Sequence, residues 1–276
     1  MIVNILAVAG LELRLGFRNR WVILSVAILT LFAGILALVG SAPTGTLGVD
    51  RLSVTAASLA TLSVYLVPLI ALLLAFDTVA GEIDRGTLQL VLACPVSRFE
   101  ILAGKFLGHV CVLSIAVVIG YGLSGGAIAV TGEGSTQGVV VLVRLVATSI
   151  LLGAVFLAVG YLASALVRQT GTAAALAVGV WLVAVVLYDL GLLAMVVIDG
   201  QGVVATTLFP WLLVASPGDA FRLFNLAMLG AAKSLTGMAG IAEALPFPPG
   251  VALASLTAWF FAAFAAALLA FRRIEP

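Results

Sequence analysis

Charge is what this chain has least of. Only 9% of its 276 residues are Asp, Glu, Lys or Arg, against 63% apolar, where a soluble domain carries about 25% charge. A soluble globule could not leave so much surface uncharged, so a soluble enzyme and a nucleic-acid binder are excluded. A net charge of +1 points to no strongly charged partner. Cysteine is nearly absent: Cys94 and Cys111 cannot build a disulfide framework, which excludes a secreted disulfide scaffold. Histidine occurs once, as His109, and methionine only at Met1, Met195, Met228 and Met238. A soft-metal path needs such ligands in sets. Here they are scattered, and no apolar run carries a pair at i, i+3 or i+4. Cys94 falls in a polar connection, Cys111 reads as a packed thiol, and His109 as a hydrogen-bonded helix residue.

What the chain has in abundance is uninterrupted apolar sequence. About 20 apolar residues in a helix cross a 30 Å hydrocarbon core. Six runs qualify: 21–39, 54–76, 106–130, 139–167, 171–198 and 250–271. These predict an all-α membrane protein of six spans, one domain over 1–276. Gly40-Ser41-Ala42 offers a passable signal-peptide cleavage site, but the run before it exceeds the roughly 7–15 residues of a signal core. It reads as a retained anchor.

Loop charges set orientation. One side collects Arg14, Arg18, Arg20, Arg85, Arg98, Lys105, Arg168, Arg272 and Arg273; the other collects Arg51, Arg144, Arg222 and Lys233. Both termini are therefore expected in the cytoplasm. Residues 1–18 place Ile2, Ile5, Leu6, Ala9, Leu13 and Phe17 on one helical face, with Asn4, Arg14 and Arg18 opposite. This suits a helix lying in the membrane interface, or an ordinary basic flank.

On the outer side, 199–249 is too apolar for a plain linker. Ser216-Pro217-Gly218-Asp219 carries an N-cap, a proline in the first turn and a carboxylate at N3, predicting a helix to about residue 229. Partly buried or re-entrant helices are expected there.

The cytoplasmic segment 77–104 is the richest. Gly86 permits a sharp turn. Thr87 can cap a short helix that ends before Pro95. Ser97 and Glu100 form an S-x-x-E capping box that opens the third span. A short helix with an apolar run (Leu88, Leu90, Val91, Leu92) is laid across two spans. It reads equally as a lever for a soluble partner or as a well-capped loop.

The run Gly81-Glu82…Gly86-Thr87…Pro95-Val96-Ser97-Arg98…Gly104-Lys105 resembles the signature of ABC-2-type permeases. That resemblance implies a coupling helix that docks on a separate ATPase subunit, with Gly81, Glu82, Asp84, Arg85, Gly86, Thr87, Pro95 and Arg98 carrying the contact. Leu13-Arg14-Leu15-Gly16-Phe17-Arg18-Asn19-Arg20-Trp21, Tyr188-Asp189-Leu190-Gly191 and Ser216-Pro217-Gly218-Asp219…Arg222 are similar to a narrower group. These are the permease subunits of ABC complexes that serve the copper sites of nitrous oxide reductase. The resemblance implies a homodimer in the bacterial inner membrane, beside a cytoplasmic ATPase and a periplasmic repeat protein. Pro217, Asp219 and Arg222 would then face the outer partner. ATP and magnesium would sit on the ATPase subunit, with no cofactor on this chain and no enzyme activity of its own.

Other chemistry fails on spacing. Gly104-Lys105-Phe106 lacks the upstream glycine and the following Ser or Thr of a phosphate-binding loop. Gly122-Leu123-Ser124-Gly125 looks like a membrane serine protease motif. His109 would lie about 20 Å away along the same helix, out of reach as a base. Gly104-x-x-x-Gly108 and Gly122-x-x-x-Gly126 read instead as close helix packing. Charges inside spans are functional candidates by default. Arg144 and Asp189 lie at similar depth, either paired or reaching the outer interface separately. Asp77 sits at the inner water boundary. The expected output is mechanical, or a small uncharged cargo. A lipid, drug or polymer exporter is one alternative, and an ATP-independent scaffold or carrier another.

Overall fold

A computed structural model describes residues 1–18, 20–39, 51–93, 95–130, 135–199, 202, 208–228 and 246–274. No strand occurs among them. Helices α1 (Ile2–Arg18) and α2 (Arg20–Val39) lead to α3 (Arg51–Ala75), which passes through Phe76 into α4 (Asp77–Asp84). A short α5 (Leu88–Leu92) precedes α6 (Arg98–Val130) and α7 (Thr136–Ala165). Then α8 (Thr170–Trp181), a π turn (Leu182–Leu187) and α9 (Tyr188–Asp199) follow one another in a single run. Helices α10 (Phe209–Ala215) and α11 (Pro217–Ala227) come before α12 (Gly250–Arg272). Among the described residues, five stretches are long and apolar enough to cross a membrane: Leu52–Asp84, Arg98–Val130, Thr136–Ala165, Thr170–Asp199 and Gly250–Arg272. At the expected first span, α2 contains the shorter apolar stretch Val26–Leu36.

The core lies where α3 meets α7. Leu59, Val67 and Leu72 of α3 pack in one cluster with Leu152, Val155 and Leu157 of α7, all fully buried. Lipid gives helices no hydrophobic reason to associate, so small residues and hydrogen bonds must fix the packing. A methyl group at Gly160 of α7 would stand 2.5 Å from the Ala75 Cβ. The Ser63 hydroxyl bonds Tyr121 of α6. Pro68 interrupts the ladder of α3, and the Trp181 indole N–H donates to the nearby Tyr65 carbonyl at 2.9 Å. At the α3–α4 junction one α7 side chain bridges the break. The Ser164 hydroxyl donates to the Phe76 carbonyl (2.6 Å) and accepts from the Val79 and Ala80 amides (3.1 and 2.9 Å).

Helix α1 runs alongside α6 and parallel to it. Val8 meets Gly104, Glu12 meets Gly108, and Gly16 meets Val112. Added Cβ atoms at Gly104 and Gly108 would lie 2.6 Å from the Cβ atoms of Val8 and Glu12, so this glycine pair is a close-packing groove. Asn4, away from the expected apolar face, donates to Glu100 (3.3 Å). Ile2 and Leu6 are 68% and 58% exposed. The polar partners on α6 set the rotation of α1, and its leftover apolar side faces outward. The second pair fails: Gly122 and Gly126 have open space beside them. Ser124 donates to the Gly120 carbonyl of its own helix.

Candidate functional site

The segment 77–104 forms much as its residues dictate. Gly86 sits at φ +68°, a conformation that favours glycine. The capping box is complete: the Ser97 amide donates to Glu100 Oε2 at 2.8 Å, and the Glu100 amide donates to Ser97 Oγ at 3.2 Å. Thr87 stands just before the first turn of α5. Its hydroxyl donates back to the Glu82 carbonyl (3.3 Å) and so ties α5 to the end of α4. In α5, Leu88 is buried in the core and Leu90 is 71% exposed. Pro95 is exposed. Cys94 lies outside the described residues.

The charged residues of the segment each reach a different element. Glu82 Oε1 stands 2.7 Å from Lys105 Nζ of α6, and Lys105 Nζ stands 2.6 Å from Glu12 Oε1 of α1. All three side chains are nearly buried. His109, one turn along, shares a hydrogen bond with the Tyr161 hydroxyl of α7 at 2.7 Å, and its other nitrogen is 3.8 Å from Glu12. Asp84 accepts the Thr170 amide (3.2 Å) at the start of α8. Arg85 pairs with Asp77 at 3.1 Å, half-exposed. Arg98 donates to the carbonyls of Phe271, Arg272 and Ile274 at 3.2, 2.8 and 2.7 Å, so it satisfies the open end of α12. Gly81 leaves no room for a side chain, because a methyl there would collide with the Asp77 carboxylate. One short segment thus holds α1, α6, α8 and α12 through ion pairs and caps.

A second charged cluster joins α3, α9 and α11. Arg222 of α11 pairs with Asp189 of α9 at 3.1 Å and with Asp219 at 3.4 Å. The Tyr65 hydroxyl of α3 donates to the same Asp189 oxygen at 3.1 Å, and the guanidinium stands 5.9 Å from the Tyr65 ring centroid. Burial first, and the Asp189 charge second, push the Asp219 carboxyl above the usual carboxylate range. The expected cap is present: the Asp219 amide donates to Ser216 Oγ at 3.4 Å, behind Pro217 at the first turn. Asn225 bonds Thr148 of α7 at 3.0 Å, and the Tyr188 hydroxyl donates to the Leu212 carbonyl at 2.7 Å. On α12, Ser255 and Trp259 cap Val214 and Ala215 at the end of α10 (2.6 and 2.8 Å).

The other candidate charges find partners within the chain. Arg144 and Asp189 have different partners: Arg144 donates to the Met228 carbonyl (3.0 Å), while Asp189 takes Arg222. The π turn just before Asp189 explains part of this. Its extra residue rotates the following helix by roughly 100° relative to a regular pattern. Asp219 and Arg222 do not present themselves outward. They are 2% and 8% exposed, because a carboxylate and a guanidinium at this depth find each other before they find water. Pro217 is half-buried.

The profile of ABC-2 family transporter proteins matches residues 6–275. The chain belongs to the ABC-2 transporter family. It is 41% identical over 268 residues to the probable ABC transporter permease protein NosY of Stutzerimonas stutzeri, covering 96% of this chain and 97% of that one. It is 39% identical over 270 residues to the protein of the same name from Pseudomonas aeruginosa, with the same coverage of each. The chain is therefore a multi-pass membrane protein of the ABC permease kind. Residues that pattern reading passed over in this ABC-2 chain are Glu12, Tyr65, Thr148, Ser164 and Asn225. Glu12 had a usable signal: it is the only carboxylate before Asp50.

Proposed function

We propose that this chain is the membrane half of an ATP-driven transporter: a homodimeric permease that takes its stroke from a separate cytoplasmic ATPase. The observation that carries this is the wiring of residues 82–98. Four elements hang on them through Glu82, Asp84 and Arg98. Ser164 clamps the joint to α3. A displacement of α5 therefore moves α1, α6, α8 and α12 together. ATP and magnesium belong to the ATPase, which grips the exposed face around Gln89, Leu90 and Pro95.

Six crossings with both termini in the cytoplasm fit this reading. Helix α2 continues the course of α1 along α6, reaching Gly120 with Leu29, and so heads for the outer side. The rod α8–α9 has only 11% of its apolar window buried, against 50% in α6. That leaves a long face for the second copy. The outer helices α10 and α11 sit over the spans and expose Leu208 and Trp211 (50% and 55%), a surface for a periplasmic repeat protein. The NosY relatives extend the reading to copper-site assembly of nitrous oxide reductase, with a mechanical output on the outer face.

The test is co-purification of the tagged chain in mild detergent, with partners identified and ATP turnover measured. An ATPase and a periplasmic repeat protein are expected together. In a Glu82→Ala/Arg98→Ala variant, partner-stimulated turnover should fall roughly 5- to 150-fold, the range of ordinary site-to-site coupling. Full turnover in that variant overturns the coupling role. An ATPase without the outer partner leaves an exporter, and no ATPase removes the reading.

A further inference from the structure

Where α12 ends beside the α7–α8 connection, the surface holds an open groove of about 580 Å³. Its rim carries two guanidinium-bearing residues, Arg168 and Arg273, and its floor runs over Leu166, Ala266, Leu269 and Ala270. Among the described residues neither arginine has an ion pair. Arginines in the last turn of a helix commonly interact with the open carbonyls there. That role is taken at this site, because Arg98 already donates to the carbonyls of Phe271, Arg272 and Ile274. The nearby carboxylate of Asp84, beside Ile83 on the groove wall, accepts the Thr170 amide and pairs with neither arginine. Among the described residues the rim therefore keeps two guanidinium groups without an ion pair.

The floor says what kind of anion fits. Ala266 lies seven residues before Arg273 on α12, so the apolar strip extends about 10 Å into the membrane from the charged rim. Leu269 on that strip is 56% exposed and Leu166 is 66% exposed. A soluble protein cannot follow a groove into the hydrocarbon, and a free anion has no use for an apolar floor. An amphiphile with an anionic head matches both ends. Basic pockets between helices at a membrane face hold such headgroups.

We propose that this groove is a binding site for one anionic phospholipid, its phosphate between Arg168 and Arg273 and its acyl chain along Leu269. The site needs only that the groove open at a membrane face, so it stands apart from the ATP-coupling reading. A seated lipid would brace the α7–α8 connection against the end of α12, the end that Arg98 ties to the coupling segment.

The full chain is purified in detergent and titrated with phosphatidylglycerol or phosphatidylcholine, with retained lipid counted by native mass spectrometry. One phosphatidylglycerol per chain is expected, preferred roughly thirtyfold, the scale of two arginines near a charged surface. Arg168→Gln/Arg273→Gln should erase the preference, while Arg272→Gln, with one charge removed next door, should keep most of it. Leu269→Trp, which fills the floor and leaves the charge, should also lose the lipid. That variant keeps the test open if the double variant does not fold. Equal retention of both lipids, or a preference that survives both the double variant and Leu269→Trp, overturns the proposal. Displacement by millimolar inorganic phosphate would make it a free-anion site. Loss of a co-purified ATPase with the lipid retained would make it a protein-docking surface. Either result overturns the lipid assignment.

Discussion

Lys105 bridges two carboxylates that come from distant parts of the chain. Glu12 belongs to the N-terminal helix and Glu82 to α4, and both lie within 2.7 Å of one ammonium. A nearly buried cluster of this kind is weak evidence for stability by itself, since burying three charges costs about what their attraction returns. Breaking it is another matter. Lys105→Met would leave two carboxylates facing each other with no cation, and should cost about 3–5 kcal/mol, read as a lowered unfolding temperature in detergent. Combining it with Glu12→Gln and Glu82→Gln should restore most of that stability. ATP turnover with the partner should stay reduced, because α1 and α4 are no longer linked. A Lys105→Met protein as stable as the parent would mean the cluster is solvated. Little of this was legible in the sequence. Periodicity sorted α1 by polarity, and Glu12 on a mostly apolar helix had no visible partner 93 positions away. Asp189 shows the same limit. Its depth was readable, but its partner depended on a π turn that no residue pattern announces.

Among the elements, α1 and α6 approach closely, and glycine is the reason. Gly108 faces the Ala9 carbonyl, which would lie 2.9 Å from an added Cβ, and the Glu12 Cβ, at 2.6 Å. Neither is the far end of a flexible side chain, so Gly108→Val must push α1 away from α6. The Glu12–Lys105 pair would part with it. The expected result is a destabilisation of about 2–3 kcal/mol, in the range of overpacked cores, together with faster proteolysis near residue 18. Gly122→Val, at the other glycine pair, meets open space and should leave thermal stability unchanged. If Gly122→Val instead abolishes dimers, that pair serves the second copy. The local signals at this scale were dependable: the box at Ser97 and Glu100, the turn at Gly86 and the cap at Ser216 are all formed. Each depends on a few neighbouring residues, which is why it could be read. The face of α1 depended on α6 and could not.

At the scale of the whole molecule, the long helices report where the bilayer ends. α6 has 33 residues, about 50 Å at 1.5 Å each, and exceeds a 30 Å core by roughly 20 Å. The surplus must lie at its first half, because Glu100, Lys105 and His109 with their partners from α1, α4 and α7 cluster there. Val130 at the other end is 89% exposed. On the proposed reading α4 and α5 lie outside the hydrocarbon on the cytoplasmic side, and α2 carries the chain to the other face so that α3 can return. Orientation and crossing number are tested together by single cysteines in a Cys94→Ser/Cys111→Ser background, labelled with a membrane-impermeant maleimide on intact spheroplasts. Val130→Cys should label at once. Gln89→Cys and Val3→Cys should label only after the membrane is opened. Labelling of Val3→Cys from outside with Gln89→Cys protected would mean that only one crossing separates α1 from α4. The contact of Glu12 with Glu82 through Lys105 would then be impossible, so this outcome would strike at the fold as well as the topology.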